Sequence, residues 1–357
     1  MQLVGVFTIL IMAFVMAKQI FAEQYIAFKS LNFKDSKKID IWEGLVLYKT
    51  DLSTHTQMTV QYGLDSVTSA SFGVVSGVSG ASASASAIRI SDDEEDDDED
   101  SEYTASERST KTRQQAGLSI THAFAPDVKG TSSVRMSYKT DYQSYIAGQT
   151  ITFPIAGPNT ILGVGGYYTQ NNNNPLVTTT NVQLQPPSDT DSTRVTVIGS
   201  LEHVLSRKSK LKFLAEGFED KGYLSTGYQR VTITSDDSEA LEVLPSTRTG
   251  LALSMIYSQW LFDSAALHLR GRVYQDSYDI NAYSLDAQIM KYLAEDLVGD
   301  VRLRYYTQSS ASFFGESFVN MPDGFFTNHP ALSQFNAYQA TAGIKKEVEW
   351  FGGDGAI

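Results

Sequence analysis

Ser133-Val134-Arg135-Met136-Ser137-Tyr138-Lys139-Thr140-Asp141-Tyr142 alternates apolar and polar side chains. Successive side chains of a β-strand point to opposite faces. Val134, Met136, Tyr138 and Tyr142 would therefore share one surface, and Arg135, Lys139 and Asp141 the other. Asp300-Val301-Arg302-Leu303-Arg304-Tyr305-Tyr306-Thr307-Gln308 repeats the scheme, with Val301, Leu303 and Tyr305 opposite Asp300, Arg302, Arg304 and Gln308. A surface that seeks hydrocarbon, backed over about ten residues by one that seeks water, is the pattern of a transmembrane β-barrel wall.

Extending this reading along the chain predicts fourteen strands, at 24–33, 38–49, 55–65, 113–124, 131–145, 148–156, 160–170, 192–205, 210–221, 247–260, 264–276, 281–292, 298–309 and 335–346. The fold class expected is all-β, an antiparallel up-and-down transmembrane β-barrel behind an N-terminal signal helix. The connections sort by length. Those at 66–112, 171–191, 222–246 and 310–334 are long, those at 125–130, 206–209, 261–263 and 293–297 are short, and the long ones all fall on one side. Tight turns at one end and tolerant loops at the other are expected of a barrel. A secreted β-sandwich or solenoid also alternates its residues but has no reason to segregate its loops. Asn171 to Pro175, Gln185 to Asp189 and Ser235 to Ser238 read as exposed loops, too poor in apolar residues to pack alone.

Composition agrees. A hydrophobic fraction of 42% in 357 residues resembles a soluble protein, and a barrel with a wet interior has the same value because apolar residues occupy alternate positions. Tyr (19) and Phe (18) suit interfacial girdles as well as strands in general. The absence of cysteine excludes a disulfide framework, a thiolate metal site and a cysteine nucleophile. A net charge of -13 argues against nucleic acid as a partner.

Leu3 to Ala17 is an apolar run short for a bilayer-spanning helix and right for a secretory signal, with cleavage after Ala22 or Ala17. The expected division is a signal peptide at 1–22 and a barrel at 23–357. Met1-Gln2 carries no basic residue, which leaves an uncleaved anchor as the alternative. Within the 66–112 loop, a Gly/Ser/Ala tract precedes nine consecutive acids, Asp92-Asp93-Glu94-Glu95-Asp96-Asp97-Asp98-Glu99-Asp100. The ordinary reading is a solvated, self-repelling loop. The sharper reading, resting chiefly on Asp92, Asp93, Glu94, Glu95, Asp96, Asp97 and Asp98, is a loose divalent-cation patch, because clustered carboxylates are hard oxygen ligands.

The polar faces of three neighbouring C-terminal strands gather His268, Arg270, Arg272, Tyr274 and Asp276, then Ser284, Asp286 and Gln288, then Asp300, Arg302, Arg304 and Tyr306. Arginine toward lipid would cost roughly 2–4 kcal/mol, so these residues are assigned inward. With Arg135 and Lys139 they make the candidate lumen lining, extended by Glu202, Lys212 and Glu216, with Arg194 nearer the mouth. A ladder of cross-strand ion pairs bracing the wall and a charged constriction that selects solutes are both consistent with it. Catalytic chemistry is not found. His55, His122, His203, His268 and His329 lack metal-site spacing, His122 and His203 fall on apolar faces, and no nucleophile elbow or phosphate loop occurs. Asn328-His329 is the one loop pair suited to a hydrolase, so a non-enzyme without cofactors is expected.

Several blocks carry a resemblance. Tyr223-Leu224-Ser225, Tyr274-Gln275-Asp276-Ser277-Tyr278-Asp279-Ile280 with Ser284-Leu285, and Leu303-Arg304-Tyr305-Tyr306-Thr307-Gln308-Ser309-Ser310-Ala311 followed by Phe313 occur in order, after Leu64-Asp65-Ser66-Val67-Thr68-Ser69-Ala70-Ser71. In these the chain resembles a large bacterial family of outer-membrane β-barrel proteins, catalogued as a domain of unknown function. The resemblance implies location in the bacterial outer membrane and no substrate. Family members close with further strands on a terminal aromatic. About sixteen strands are expected of a complete member, two more than are read before Gly352-Gly353-Asp354-Gly355-Ala356-Ile357. The expected function is a porin-like channel or transport conduit for small polar solutes. The alternative is a non-conducting, adhesin-like scaffold that binds cations or partners through its long loops. In either case outer-membrane lipid and the outer-membrane assembly machinery are the expected partners.

Overall fold

The computed structural model describes residues 24–34, 40–69, 109–139, 142–173, 189–227, 229–262, 264–294 and 297–346. The expected signal segment, the acidic run and the residues after Lys346 lie outside them. Sixteen strands are found among the described residues. Fourteen form one sheet in chain order: β1 (Gln24–Lys34), β2 (Asp40–Ser53), β3 (Thr56–Ser69), β4 (Ser109–Ala125), β5 (Val128–Lys139), β6 (Tyr142–Pro154), β7 (Thr160–Asn173), β8 (Asp191–Ser206), β9 (Ser209–Gly222), β12 (Thr247–Phe262), β13 (Ala265–Asp276), β14 (Asn281–Ala294), β15 (Leu297–Gln308) and β16 (Phe335–Lys346). Between β9 and β12, a separate hairpin is made by β10 (Arg230–Ile233) and β11 (Ser238–Leu241). Fourteen sheet strands in an up-and-down order match the expectation.

The residues fall into two compact units. The first holds β1 to β5, β6 as far as Phe153 and β7 from Gly165 on, and the second holds the end of β6, the start of β7 and β8 to β16.

Within each unit the exposure of the strands is inverted relative to a soluble protein. In β5 of the first unit, Val134, Met136 and Tyr138 are exposed while Arg135, Ser137 and Lys139 are half-buried. In β14 of the second, Leu285 is 66% exposed and its neighbour Asp286 7%. The side chains stand on opposite faces because the period is two, and the apolar face is the open one.

One boundary differs from the expectation of a single strand over 131–145. Lys139 pairs with Tyr142, so the chain reverses between them and Tyr142 opens β6 instead of sharing a face with Val134. Its side chain hydrogen-bonds Asn171 at 2.8 Å. The alternation continues across the reversal, which hides the turn from a periodicity reading, and Asp141 lies outside the described residues. Asn171 to Asn173, expected in a loop, belong to β7.

Five two-residue connections share one construction. Before each, the pairing skips a residue: Leu52, Phe124, Leu205, Leu261 and Leu293. Each is a bulge with one unpaired residue on the first strand, and each time that residue is large and apolar. Phe124 lies across Gly130, where an added Cβ would come within 2.7 Å of the ring, and Leu293 lies across Gly299 in the same way at 3.0 Å. The absence of a side chain at these glycines lets the bulged residue fold back over the next strand.

The buried apolar clusters of the second unit lie in the connections, not between sheet faces. Tyr278 and Ile280 from the β13–β14 turn pack with Ala311 and Leu332. Val231 and Ala240 of the β10–β11 hairpin pack with Phe326. Bridges Ile233–Phe318 and Val243–Phe326 join the 223–246 connection to the 309–334 connection. The two long connections, expected as loops tolerant of length, pack together into a cap. The aromatic residues in them explain it: burying a side chain such as Phe326 contributes roughly 1.5–3 kcal/mol. Ser235 to Ser238 form its exposed tip, as expected.

Candidate functional site

The polar face of the second unit is a grid set by strand register. One cross-strand row runs Lys212, Ile256, Arg270, Asp286, Arg304 and Gln339. The next toward the short turns runs Lys210, Ser258, His268, Gln288, Arg302 and Thr341. The next toward the cap contains Ser254, Arg272, Ser284 and Tyr306.

Asp286 is the centre of the first row. Arg302 grips its Oδ1 through Nε at 2.7 Å and through Nη2. Arg304 Nε stands 3.9 Å from Oδ2, beyond hydrogen-bond reach, and is buried without a partner. Arg270 is opposite Asp286 in register, yet its side chain is exposed and makes no ion pair among the described residues. Asp300 accepts from Gln288 at 3.0 Å, and Glu202 lies 3.3 Å from Lys210 and 3.7 Å from Lys212. Glu216 is buried, with Oε2 unpartnered.

The residues expected to line a lumen thus stand on one face in this unit: Arg270, Arg272, Asp286, Asp300, Arg302 and Arg304. Arg135 and Lys139 stand together on β5 of the first unit, where Gln61, with its amide oxygen toward Arg135, accepts from Nε at 2.9 Å and Nη2 at 3.1 Å. The pairing differs from a simple ladder of the four arginines with Asp276, Asp286 and Asp300. Asp276 is taken by Arg248, through Nε at 2.9 Å and through Nη2. The reason is register, since Arg248 reaches across the hairpin to the strand end where Asp276 sits. A parallel pair, Arg194 with Asp220 at 2.5 and 2.8 Å, lies beside it.

Asp276 also builds the cap. Its Oδ1 accepts from the backbone N–H groups of Tyr278 (2.9 Å) and Ile280 (3.1 Å), and its Oδ2 from the Tyr274 hydroxyl (2.7 Å). Arg248 lies over the Tyr278 ring at 4.6 Å, and the Tyr278 hydroxyl donates to Pro245 O at 3.0 Å. Gln308 donates to the carbonyls of Ala331 (2.9 Å) and Ser333 (2.7 Å), and its amide oxygen accepts from the Tyr306 hydroxyl. Phe313 meets Tyr278 edge to face at 5.0 Å.

Inside the cap Glu242 is buried and accepts from Thr226 N (2.8 Å), Thr226 Oγ1 (2.9 Å) and Thr327 Oγ1 (2.6 Å). Burial lowers the affinity of His329 for a proton, outweighing the opposing pull of Glu242. Burial and then Glu242 push the Tyr223 phenol up to about 12. His329 Nδ1 accepts from Ala331 N at 3.1 Å, while the hydroxyls of Thr327 and Ser333 donate to Glu242 and Pro330 O. None of these hydroxyls faces the ring as a nucleophile would. His55, His122, His203 and His268 each meet a neighbouring hydroxyl at Nδ1, at 2.8–2.9 Å. Among the described residues no group of three or more His, Asp or Glu is placed to hold a metal ion. The proposed cation residues Asp92 to Asp98 lie outside the described residues.

A family model, described as Protein of unknown function (DUF3570), matches residues 2–353. The chain belongs to this family. In this DUF3570 protein two of the sequence blocks that carried the resemblance fasten the cap: Asp276 to Ile280 form its central turn, and Gln308, Ala311 and Phe313 hold the second connection against it. No curated protein matches the chain. Among solved structures, it is similar to an anion-selective porin from Comamonas acidovorans at 7% identity, covering 91% of this chain and 99% of that one, with a TM-score of 0.45. It is similar to a bacterial polysaccharide outer membrane secretin at 10% identity, covering 91% and 98%, with a TM-score of 0.44. It is also similar to the siderophore receptor PirA from Pseudomonas aeruginosa at 11% identity and a TM-score of 0.43, covering 91% of this chain and 52% of the receptor. The DUF3570 chain therefore spans about half the length of that receptor.

Arg248, Asp220 and Glu242 escaped the sequence reading. Arg248 sits on a strand whose polar-face positions continue as Gly250, Ala252, Ser254 and Ile256, so alternation gave it no support. Glu242 belongs to a connection, where periodicity says nothing.

Proposed function

We propose that this protein is an outer-membrane β-barrel that conducts small polar solutes through a charged lumen, its long connections forming a packed constriction over one end. The observation that carries this reading is the inverted exposure. Leu251, Leu253, Val273, Leu285, Val301 and Leu303 stand open on one face, while Asp286, Ser284 and Glu216 are buried on the other. Soluble monomers seldom leave contiguous apolar surface of that extent in water, whereas a lipid-facing wall requires it. Closed walls satisfy every backbone group within a bilayer.

The packed cap favours a second reading, a non-conducting scaffold whose connections present a fixed surface. Planar-bilayer recording on the refolded full chain separates the two. Single-channel steps whose size changes with Arg302→Ala and Arg304→Ala support conduction. A folded protein that gives no steps supports the scaffold.

A further inference from the structure

The sign of the charge on the polar face is opposite to that of the chain. Three consecutive cross-strand rows on β8 to β16 hold six cations, Lys210, Lys212, Arg270, Arg272, Arg302 and Arg304, against two carboxylates, Glu202 and Asp286. Including the flanking rows adds Glu216 and Asp300, and a surplus of two positive charges remains. The chain as a whole carries -13, of which nine negative charges are the run Asp92 to Asp100. Net charge is therefore a poor guide to what this face attracts; the local field decides it.

Within the surplus, two guanidinium groups have unspent donors. Arg302 saturates one oxygen of Asp286. Arg304 stays 3.9 Å from the other, with its Nε buried and unpartnered among the described residues, and Arg270, on the opposite flank of Asp286, is exposed and makes no ion pair among the described residues. Neighbouring strands lie about 4.8 Å apart, so Arg270 and Arg304 flank a gap of about 10 Å at the backbone, which two long side chains can close upon a small anion. A buried N–H without an acceptor is costly, and planar guanidinium forks match two-oxygen anions.

We infer that Arg270 and Arg304 form an oxyanion subsite, taking the carboxylate or phosphate group of a small solute, and that the conduit prefers anions. This inference rests on the proposed channel reading. Asp286 sits between the two arginines and keeps binding transient, since an uncompensated cluster would hold its anion and block passage.

The test uses the full chain in planar bilayers under a potassium chloride gradient. Wild type is expected to prefer chloride over potassium on the order of threefold. Arg270→Gln combined with Arg304→Gln should bring that ratio to unity or below, while Arg270→Lys should preserve it. Cation preference in the wild type, or an unchanged ratio in the double variant, overturns the inference. A protein without conductance refutes the channel reading separately, and thermal unfolding in detergent then decides the subsite. Inorganic phosphate, at constant ionic strength, should raise the Tm of wild type and not of the double variant, by ligand linkage. Equal shifts in both proteins overturn it.

Discussion

Asp276 concentrates more donors than any other residue described above, and its side chain is fully enclosed while Arg248 remains partly exposed. Removing one partner of a buried pair costs roughly 3–5 kcal/mol because the other charge is left unmatched. Asp276→Ala should therefore loosen the cap, seen as faster proteolysis within 309–334, while the strand content measured by circular dichroism stays near wild type. Three residues on, Asp279 adopts a positive φ of 65°. Asp279→Gly should be neutral within a few tenths of a kcal/mol, whereas Asp279→Val should cost about 1–2 kcal/mol in chemical unfolding, because a β-branched residue resists the left-handed region. His329 supplies a pH response. Its proton affinity is lowered in the fold, and its Nδ1 must stay unprotonated to accept from Ala331. The stabilisation is thus fully present above the unfolded value of about 6.5 and is lost as pH falls below it. Amide protection factors in 327–333, corrected for the intrinsic pH dependence of exchange, should fall between pH 7 and pH 5, and His329→Asn, which keeps an acceptor at that position, should flatten the response.

At the scale of elements, strand existence was legible because alternation and strand geometry share the period of two. Thirteen of the fourteen sheet strands are read from it and the first from the sidedness of the loops, with the β5–β6 reversal as the misplaced boundary. The cap was not legible. Its order comes from aromatic residues that pack across connections far apart in sequence, Phe318 and Phe326 against Val231 and Ala240, and no local period marks such contacts. Likewise the arginine face could be assembled from parity, while the partner of each arginine depended on register and on Arg248. The repeated bulge is an element-level device with its own expectation. Its Leu or Phe stands beside five two-residue connections, the end of a membrane-spanning strand at which a headgroup region is expected. Leu205→Asp and Leu293→Asp should lower the thermal stability of the bilayer-inserted protein, whereas substitution by Trp, suited to that region, should be tolerated.

For the whole molecule, the inverted exposure predicts that a single charge on the apolar face is costlier than several on the polar one. Leu285→Arg should destabilise by roughly 2–4 kcal/mol in lipid vesicles, while Gln339→Arg, at an exposed position of the polar face in the row of Asp286 and Arg304, should leave folding intact and change conductance. The cap bears on the order in which the protein is made. Thr327 reaches Glu242 across 85 positions of sequence, and Gln229 reaches Asn328 across 99. Between those partners run β12, β13, β14 and β15, so loop-closure entropy keeps the contacts from forming until the intervening hairpins have zipped together. The cap is thus the last part of the second unit to mature. A pulse of protease during refolding would find 223–246 and 309–334 cleavable until the sheet beneath them is complete, and then resistant together, making the pair of connections a built-in report of finished assembly.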